Sequence, residues 1–173
     1  MRIHTLIHTA LVAEAKPIIG HFKLTCKAKQ PFNLYEGDGI VLIVSGMGSE
    51  KTKAALQYTL SLYEPNVAIN VGIAGCRDTT VSKGTLFCTT HEGLDIPFAT
   101  CSSHQKAVED ALHVNTMLVD REAETFLQML PKSIETYVFK VVSDHLEVII
   151  PSKADVGNWI GKSIKQWEKY VRR

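Results

Sequence analysis

The apolar positions of this chain fall into two rhythms. The first is the short, nearly unbroken run that suits a strand covered on both faces. Val67 to Cys76, VAINVGIAGC, is the strongest example, with β-branched Val67, Ile69, Val71 and Ile73 and one polar residue, Asn70, before Gly72 and Gly75. Pro65 stops what precedes it. The two glycines let the backbone turn or be approached closely at the carboxyl end of the run. Ile40 to Val44 is almost wholly apolar and is also read as internal. Ile3 to Val12 and Tyr137 to Val142 are a first and a last strand, and Thr85 to Thr90, Ile96 to Cys101 and Val114 to Val119 are shorter candidates.

The second rhythm is helical. It predicts a short helix over Ala15 to Phe22, with Ile18, Ile19 and Phe22 buried and Pro17 in its first turn. A longer helix runs from about Glu50 to Tyr63, with Ala54, Ala55, Leu56, Tyr58, Leu60 and Leu62 on its apolar side. Asp120 to Leu130 places Ala123, Phe126, Leu127 and Leu130 at helical spacing, and His104 to Leu112 can also be helical. After Pro151, Ser152 is a good N-cap with Asp155 three residues on. Ile160, Ile164, Trp167 and Val171 then recur at helical spacing opposite a basic, solvated face. Lys23 to Gln30 is loop or edge, and Gly37-Asp38-Gly39 is a hairpin-like turn. Strands alternating with helices indicate an α/β fold, and 173 residues suit one domain over the whole chain, 1–173.

Composition narrows the function classes. The apolar fraction of 45% and charged fraction of 21% are those of a globular protein, and a net charge of +1 supplies no field for nucleic acid or a membrane surface. No apolar run approaches the roughly 18 residues of a membrane span, and the first residues lack a signal-peptide pattern. Cys26, Cys76, Cys88 and Cys101 have neither paired nor zinc-type spacing, so they read as reduced thiols of a cytoplasmic protein with no metal and no cofactor.

Candidate chemistry gathers at strand ends: Glu14, Ser45-Gly46, Gly72 to Gly75, Asp120 to Glu122, and Ser143-Asp144. If the strands are parallel, these ends converge on one crevice. A carboxylate at Glu14 also favours a helix start. Ser45-Gly46-Met47-Gly48-Ser49 turns from strand into helix and matches two phosphate motifs in part. Lys51 stands where a dinucleotide fingerprint needs its third glycine, and Glu50 replaces the glycine before the P-loop lysine.

VSGMGSEKTKAAL, NVGIAGC followed by VSKGTL, LVDREAETF and KVVSDHLE, taken in that order, resemble the nucleoside phosphorylase and nucleosidase superfamily. They are most similar to its methylthioadenosine/S-adenosylhomocysteine nucleosidase and futalosine hydrolase branch. The resemblance implies a three-layer α/β domain with a mixed, largely parallel twisted sheet flanked by helices. It also implies cleavage of a purine nucleoside's N-glycosidic bond through an oxocarbenium-like transition state, where one group protonates the leaving base and another positions the nucleophile. On this pattern Glu14 matches the glutamate that holds the attacking water, and Asp144, in a Ser-Asp pair with Ser143, matches the acid at the purine N7. Glu122 matches the glutamate on the ribose hydroxyls, with Arg121 beside it. Gly46, Ile73, Ala74, Gly75, Ser102, Ser103 and Asp120 match positions lining the pocket. A small-molecule nucleoside and a second copy of the chain, as a homodimer, are the implied partners.

The departures from the pattern are as specific as the matches. Arg121 stands where the family has methionine, Ile73 replaces a small polar residue, the segment from Thr90 to Ile96 is far shorter, and the base-contact segment near Ser102-Ser103 lacks the family's usual aromatic. No arginine between Thr9 and Pro17 matches the phosphate loop of the phosphorylases, which favours hydrolysis over phosphorolysis. A shortened member that binds a nucleoside or protein partner without catalysis is the competing reading. Arg121 has two arrangements that would affect the site: pairing with Glu122 or Asp120, or pointing inward to receive an anionic group on the ligand.

Overall fold

The computed structural model describes residues 2–106, 108, 111–147 and 149–172. The run expected as the innermost strand is β5, Glu64–Cys76. It is paired along its length, with β1 (Arg2–Thr9) parallel beside Glu64 to Asn70 and β9 (Glu135–Asp144) parallel beside Val67 to Gly75. Pro65 does not stop the chain. It occupies the second position of β5, at the strand's margin, where a missing N–H is tolerated.

Outward from β1 the sheet continues through β4 (Ile40–Val44, parallel), β3 (Asn33–Gly37, antiparallel) and the edge strand β2 (Thr25–Ala28). β6 (Leu86–Cys88) lies antiparallel to β9. At the carboxyl end of β5, β8 (Leu118–Asp120) pairs antiparallel at Gly75 and Cys76 and is followed by β7 (Cys101–Ser103). The sheet is therefore mixed, with parallel pairing at its centre.

Two helices cover each face. Neighbouring residues in the central strands point to opposite sides, so Leu6 and Ile7, Leu42 and Ile43, Ala68 and Ile69, and Val138 and Phe139 divide between two cores. On one side Ile7, Leu42, Ile69 and Phe139 meet α1 (Val12–Phe22) and α4 (Lys153–Trp167) through Ile18, Phe22, Ile160, Ile164 and Trp167. Fully buried Trp167 satisfies its indole N–H on Ser163 Oγ at 3.1 Å. Truncating such a residue costs about 3–5 kcal/mol. On the other side Leu6, Ile43, Ala68 and Val138 meet α2 (Ser49–Leu62) and α3 (Ala123–Met129) through Ala55, Leu56, Ala123 and Phe126.

Several boundaries differ from the sequence reading. The buried stripe of α2 is Thr52, Ala55, Leu56 and Thr59, while Ala54 is exposed. Thr59 can lie inside because its hydroxyl donates to Ala55 O at 2.8 Å. α1 begins at Val12, so Pro17 lies in its second turn. α4 ends at Trp167 and tightens into a 3₁₀ turn, Glu168–Tyr170, which leaves Val171 beyond the helix but still against the core. The strand expected over Ile96 to Cys101 is displaced to Cys101–Ser103, with a single bridge from Phe98 to Cys88. The helix expected over His104 to Leu112 is a 3₁₀ turn at Ala111–His113; residues 107, 109 and 110 lie outside the described residues. Among the described residues no helix is long and apolar enough to cross a membrane.

Candidate active site

Glu14 sits in the first turn of α1, just past the carboxyl end of β1, and is almost fully buried. Its Oε2 accepts from the N–H groups of Ala10 and Leu11 at 3.0 and 2.9 Å, which closes the helix start. Its Oε1 accepts from the N–H of Ile73, at the far end of β5, at 3.0 Å. Burial raises its pKa from 4.5 to about 7, although these N–H bonds and the nearby Lys140 charge oppose the shift. One carboxyl group thus joins two strand ends and titrates near neutrality.

Lys140 is the site residue that the sequence reading passed over. It lies in the middle of β9 with its side chain wholly buried, and its Nζ bonds Asp120 Oδ2 at 2.6 Å. Burial alone would lower its pKa; Asp120 and Glu122 more than reverse this and hold it above the ordinary value. Asp120, in turn, is kept below the usual carboxylate range because Lys140 outweighs the effect of burial. The remaining bonds of Asp120 are also internal: Ser103 Oγ donates to Oδ1, and the N–H groups of Ala123 and Glu122 reach Oδ2 at 2.9 and 3.3 Å. Asp120 therefore positions Lys140 and the start of α3. A Cβ at Gly72 would lie 3.1 Å from Glu14 Oε1 and 3.3 Å from Lys140 Nζ, so the missing side chain at that position lets the two groups approach the same point.

Glu122 is the buried N-cap residue of α3, and its Oε1 accepts the Gly48 N–H at 2.8 Å. This bond ties α3 to the glycine turn before α2. Asp144 ends β9, opposite Gly75 in register, and a Cβ at Gly75 would lie 2.9 Å from its Oδ1. The Asp144 carboxylate accepts from Ser143 Oγ at 2.7 Å and from Leu146 N–H at 3.0 Å, while Ser143 Oγ also lies 3.3 Å from Ala74 O. Gly72 and Gly75 are three residues apart, roughly 10 Å along a strand. This spacing separates the Asp144 end of the site from the Glu14–Lys140 end.

A histidine supports the arrangement from beneath. His8 in β1 is fully buried and stacks on Phe126. Its Nδ1 lies 2.7 Å from Asn70 Nδ2 and its Nε2 2.9 Å from Ser45 Oγ, which reaches Gly46 O at 2.6 Å. Asn70 donates to Nδ1, so the neutral Nε2–H tautomer completes the chain to the Ser45-Gly46 turn. Burial, then the Lys140 charge, lowers the His8 pKa to about 3. His8, Asn70 and Lys140 are polar interruptions of three adjacent apolar strands, a signal the sequence contains.

The other predicted pocket residues divide. Ser103 supports Asp120, and Ser102 bonds His104 Nε2 and Thr116 Oγ1 at 2.9 and 2.7 Å. The Arg121 guanidinium donates to Gln105 O and lies across the glycine turn, 3.8 Å from where a Cβ of Gly48 would be. Among the described residues it forms no ion pair with Glu122 or Asp120; Asp120 is paired with Lys140, and Glu122 Oε1 accepts the Gly48 N–H. Burial, then the Asp120 charge, pushes the Cys101 thiol up to about 12, which removes it as a nucleophile. Among the described residues no group of three or more His, Cys, Asp and Glu side chains is arranged to hold a metal.

A mixed sheet with parallel pairing at its centre and two helices on each face is a fold shared with solved nucleosidases and futalosine hydrolases. Among solved structures it is similar to the Campylobacter jejuni 5′-methylthioadenosine/S-adenosylhomocysteine nucleosidase, at 13% identity over 96% of this chain and 97% of that one, with a TM-score of 0.82. It is also similar to the native futalosine hydrolase of Helicobacter pylori, at 12% identity over 96% of each chain and a TM-score of 0.81. A mutant of the H. pylori methylthioadenosine nucleosidase, solved with 5′-methylthioadenosine in its active site, matches at 12% identity over 98% of each chain, also at 0.81. No protein-family model and no curated protein matches the chain. At these identities the likeness is one of fold.

Proposed function

We propose that this protein cleaves the N-glycosidic bond of a purine nucleoside by hydrolysis. The observation that carries the reading is Glu14: a buried carboxyl group at the junction of β1 and β5, held by backbone donors, with a pKa of about 7. A general base works best when its pKa lies near the working pH. Glu14 Oε1 accepts only the Ile73 N–H and retains capacity for another donor, so a water beside Gly72 can be oriented by it and can give it a proton while attacking the anomeric carbon. Lys140, on the same glycine, supplies fixed positive charge that favours the ionised form of Glu14. Glu122 has one oxygen on Gly48 N–H and the other available to ribose hydroxyls. Asp144, at the other end of the site, meets the purine N7 and delivers the proton that lets the base leave.

The likeness to nucleosidases and the absence of an arginine from 9–17 support hydrolysis over phosphorolysis. The exposed Val12 and Met47, 44% and 50% accessible, with the short 90–96 link, favour a second reading: a crevice that binds a nucleoside without turning it over. A purine nucleoside panel, assayed with and without phosphate for free base and reducing sugar, decides between the two. Base and free sugar released without phosphate support hydrolysis. Ribose-1-phosphate as product overturns it, and ligand binding with no product supports the second reading. In an active enzyme Asp144→Asn should lose about 10²–10⁴-fold in kcat with a smaller change in binding, because proton donation acts in the transition state. The homodimer expected from the resemblance belongs to the same proposal and is checked by sedimentation.

A further inference from the structure

The SGMGSEK turn, which matches two phosphate motifs only in part, supplies no reacting group to the chemistry above, although its Gly48 N–H holds Glu122. Its geometry gives it a further role. Gly46 and Gly48 have φ of 86° and 98°, so the backbone folds back on itself before α2, whose first turn is capped by no side chain. Two cations lie against this turn. Lys51 bends back over Gly46, its Nζ 3.5 Å from where a Cβ would be, and Arg121 reaches it from the β8–α3 junction, with Nη2 beside Gly48. Among the described residues neither cation has a carboxylate partner: Gly48 N–H engages Glu122, and Glu50 pairs with neither. Arg121 donates to Gln105 O, yet its Nε is buried with no acceptor among the described residues. A buried donor of this kind is unfavourable until something accepts from it.

We infer that Arg121 and Lys51, set against the Gly46–Ser49 turn, form a subsite for an anionic group, phosphate or carboxylate, carried on the sugar of the nucleoside. This rests on the nucleosidase reading, which gives Glu122 to the ribose hydroxyls; Arg121 is its neighbour in sequence, so the anion sits at the sugar rather than at the base. The planar fork of Arg121 suits either anion, and Lys51 adds a point charge.

The test compares adenosine with 5′-AMP, inosine with 5′-IMP, and adenosine with its 5′-carboxylic acid. The readouts are kcat/KM for base release and ligand titrations of Tm. The anionic member of a pair should be preferred by at least about tenfold. The preference should weaken with added salt, fall by a similar factor in Arg121→Met, and fall in part in Lys51→Ala, which keeps the test open should the arginine variant not fold. Preference for the phosphate or for the carboxylate identifies the source of the charge. Equal use of both members, or a preference that survives Arg121→Met in folded protein, overturns the subsite and leaves the nucleosidase reading intact. Anion-selective binding without cleavage supports the subsite and overturns catalysis. No binding or cleavage of either member overturns both. Inorganic phosphate that drives release of ribose-1-phosphate makes the anion a reactant and overturns the subsite as a holder of the substrate's own charge.

Discussion

Replacing Glu14 by glutamine should remove a loss of stability with rising pH, and the effect follows from one group. In the unfolded chain this carboxyl ionises at 4.5; in the folded protein burial delays ionisation to about 7. Between these values the native state holds a proton that the unfolded state has lost, so stability falls as pH rises, by about 1.4 kcal/mol per pH unit. Across the window the loss amounts to about 3 kcal/mol. It is complete above the folded pKa and absent below the unfolded one. Glutamine has no ionisation to suppress. Its carbonyl can replace Oε2 on Ala10 and Leu11, but its NH₂ then faces the Ile73 N–H, and the lost acceptor costs about 1–3 kcal/mol at every pH. Glu14→Gln should therefore be clearly less stable than wild type at pH 4.5 and close to it, or above it, at pH 8. Urea unfolding of both proteins at several pH values gives the difference, in which all other titrations cancel. A difference that stays constant across pH 4.5–7 would refute the assignment of the buried proton to Glu14. In an active enzyme the same ionisation makes kcat/KM rise through pH 7, and the glutamine variant should lose that rise.

Two further outcomes follow from the same cluster. Lys140→Met leaves Asp120 buried without its cation and should cost about 3–5 kcal/mol in urea unfolding, whereas adding Asp120→Asn should recover most of it; a single-variant cost below about 1 kcal/mol would rule out a buried ion pair. His8 is held neutral down to about pH 3 against 6.5 in the unfolded chain, so it contributes stability above 6.5 that is lost as pH falls towards 3. His8→Gln should flatten that acid slope, and an unchanged slope would exclude His8 as its source. In the wild type the two slopes oppose each other between pH 4.5 and 6.5, so each becomes visible when the other group is replaced.

The central strands were legible in the sequence because they are buried on both faces, and two-sided burial leaves a nearly continuous apolar run: Ile40 to Val44 and Val67 to Cys76 needed no context. Ser152 and Asp155 likewise form a local cap, and the bond from Asp155 N–H to Ser152 Oγ at 3.0 Å is where their spacing puts it. The region from Ile96 to Leu112 was misread because its residues carry no period of their own. β7 exists through its pairing with β8, a partner distant in sequence, and periodicity cannot report such pairing. The buried stripe of α2 was misassigned for a related reason: Thr52 and Thr59 count as polar in a pattern but lie wholly inside.

The candidate site was legible only in part. Glu14, Glu122 and Asp144 stand near element boundaries, and the ordered motifs of the family resemblance singled them out. Lys140 is in the middle of a strand, and a lone lysine in YVFKVV reads as a surface residue or a register error. Only the register brings it beside Gly72, and only the missing Cβ there gives it room next to Glu14. The N–H bonds from Ile73 and Leu11, and after them the fixed charge of Lys140, keep a carboxyl as buried as Glu14 near neutrality. Desolvation pushes the Glu14 pKa upward, with Glu122 adding to the push, while Lys140 and the N–H donors pull it back. Remove the lysine, and the Glu14 pKa must rise further above 7, leaving less of the base form at neutral pH. The residue least visible in the sequence therefore contributes to the protonation of the one most visible. A kcat/KM profile for Lys140→Met that turns on at the same pH as wild type would break that link.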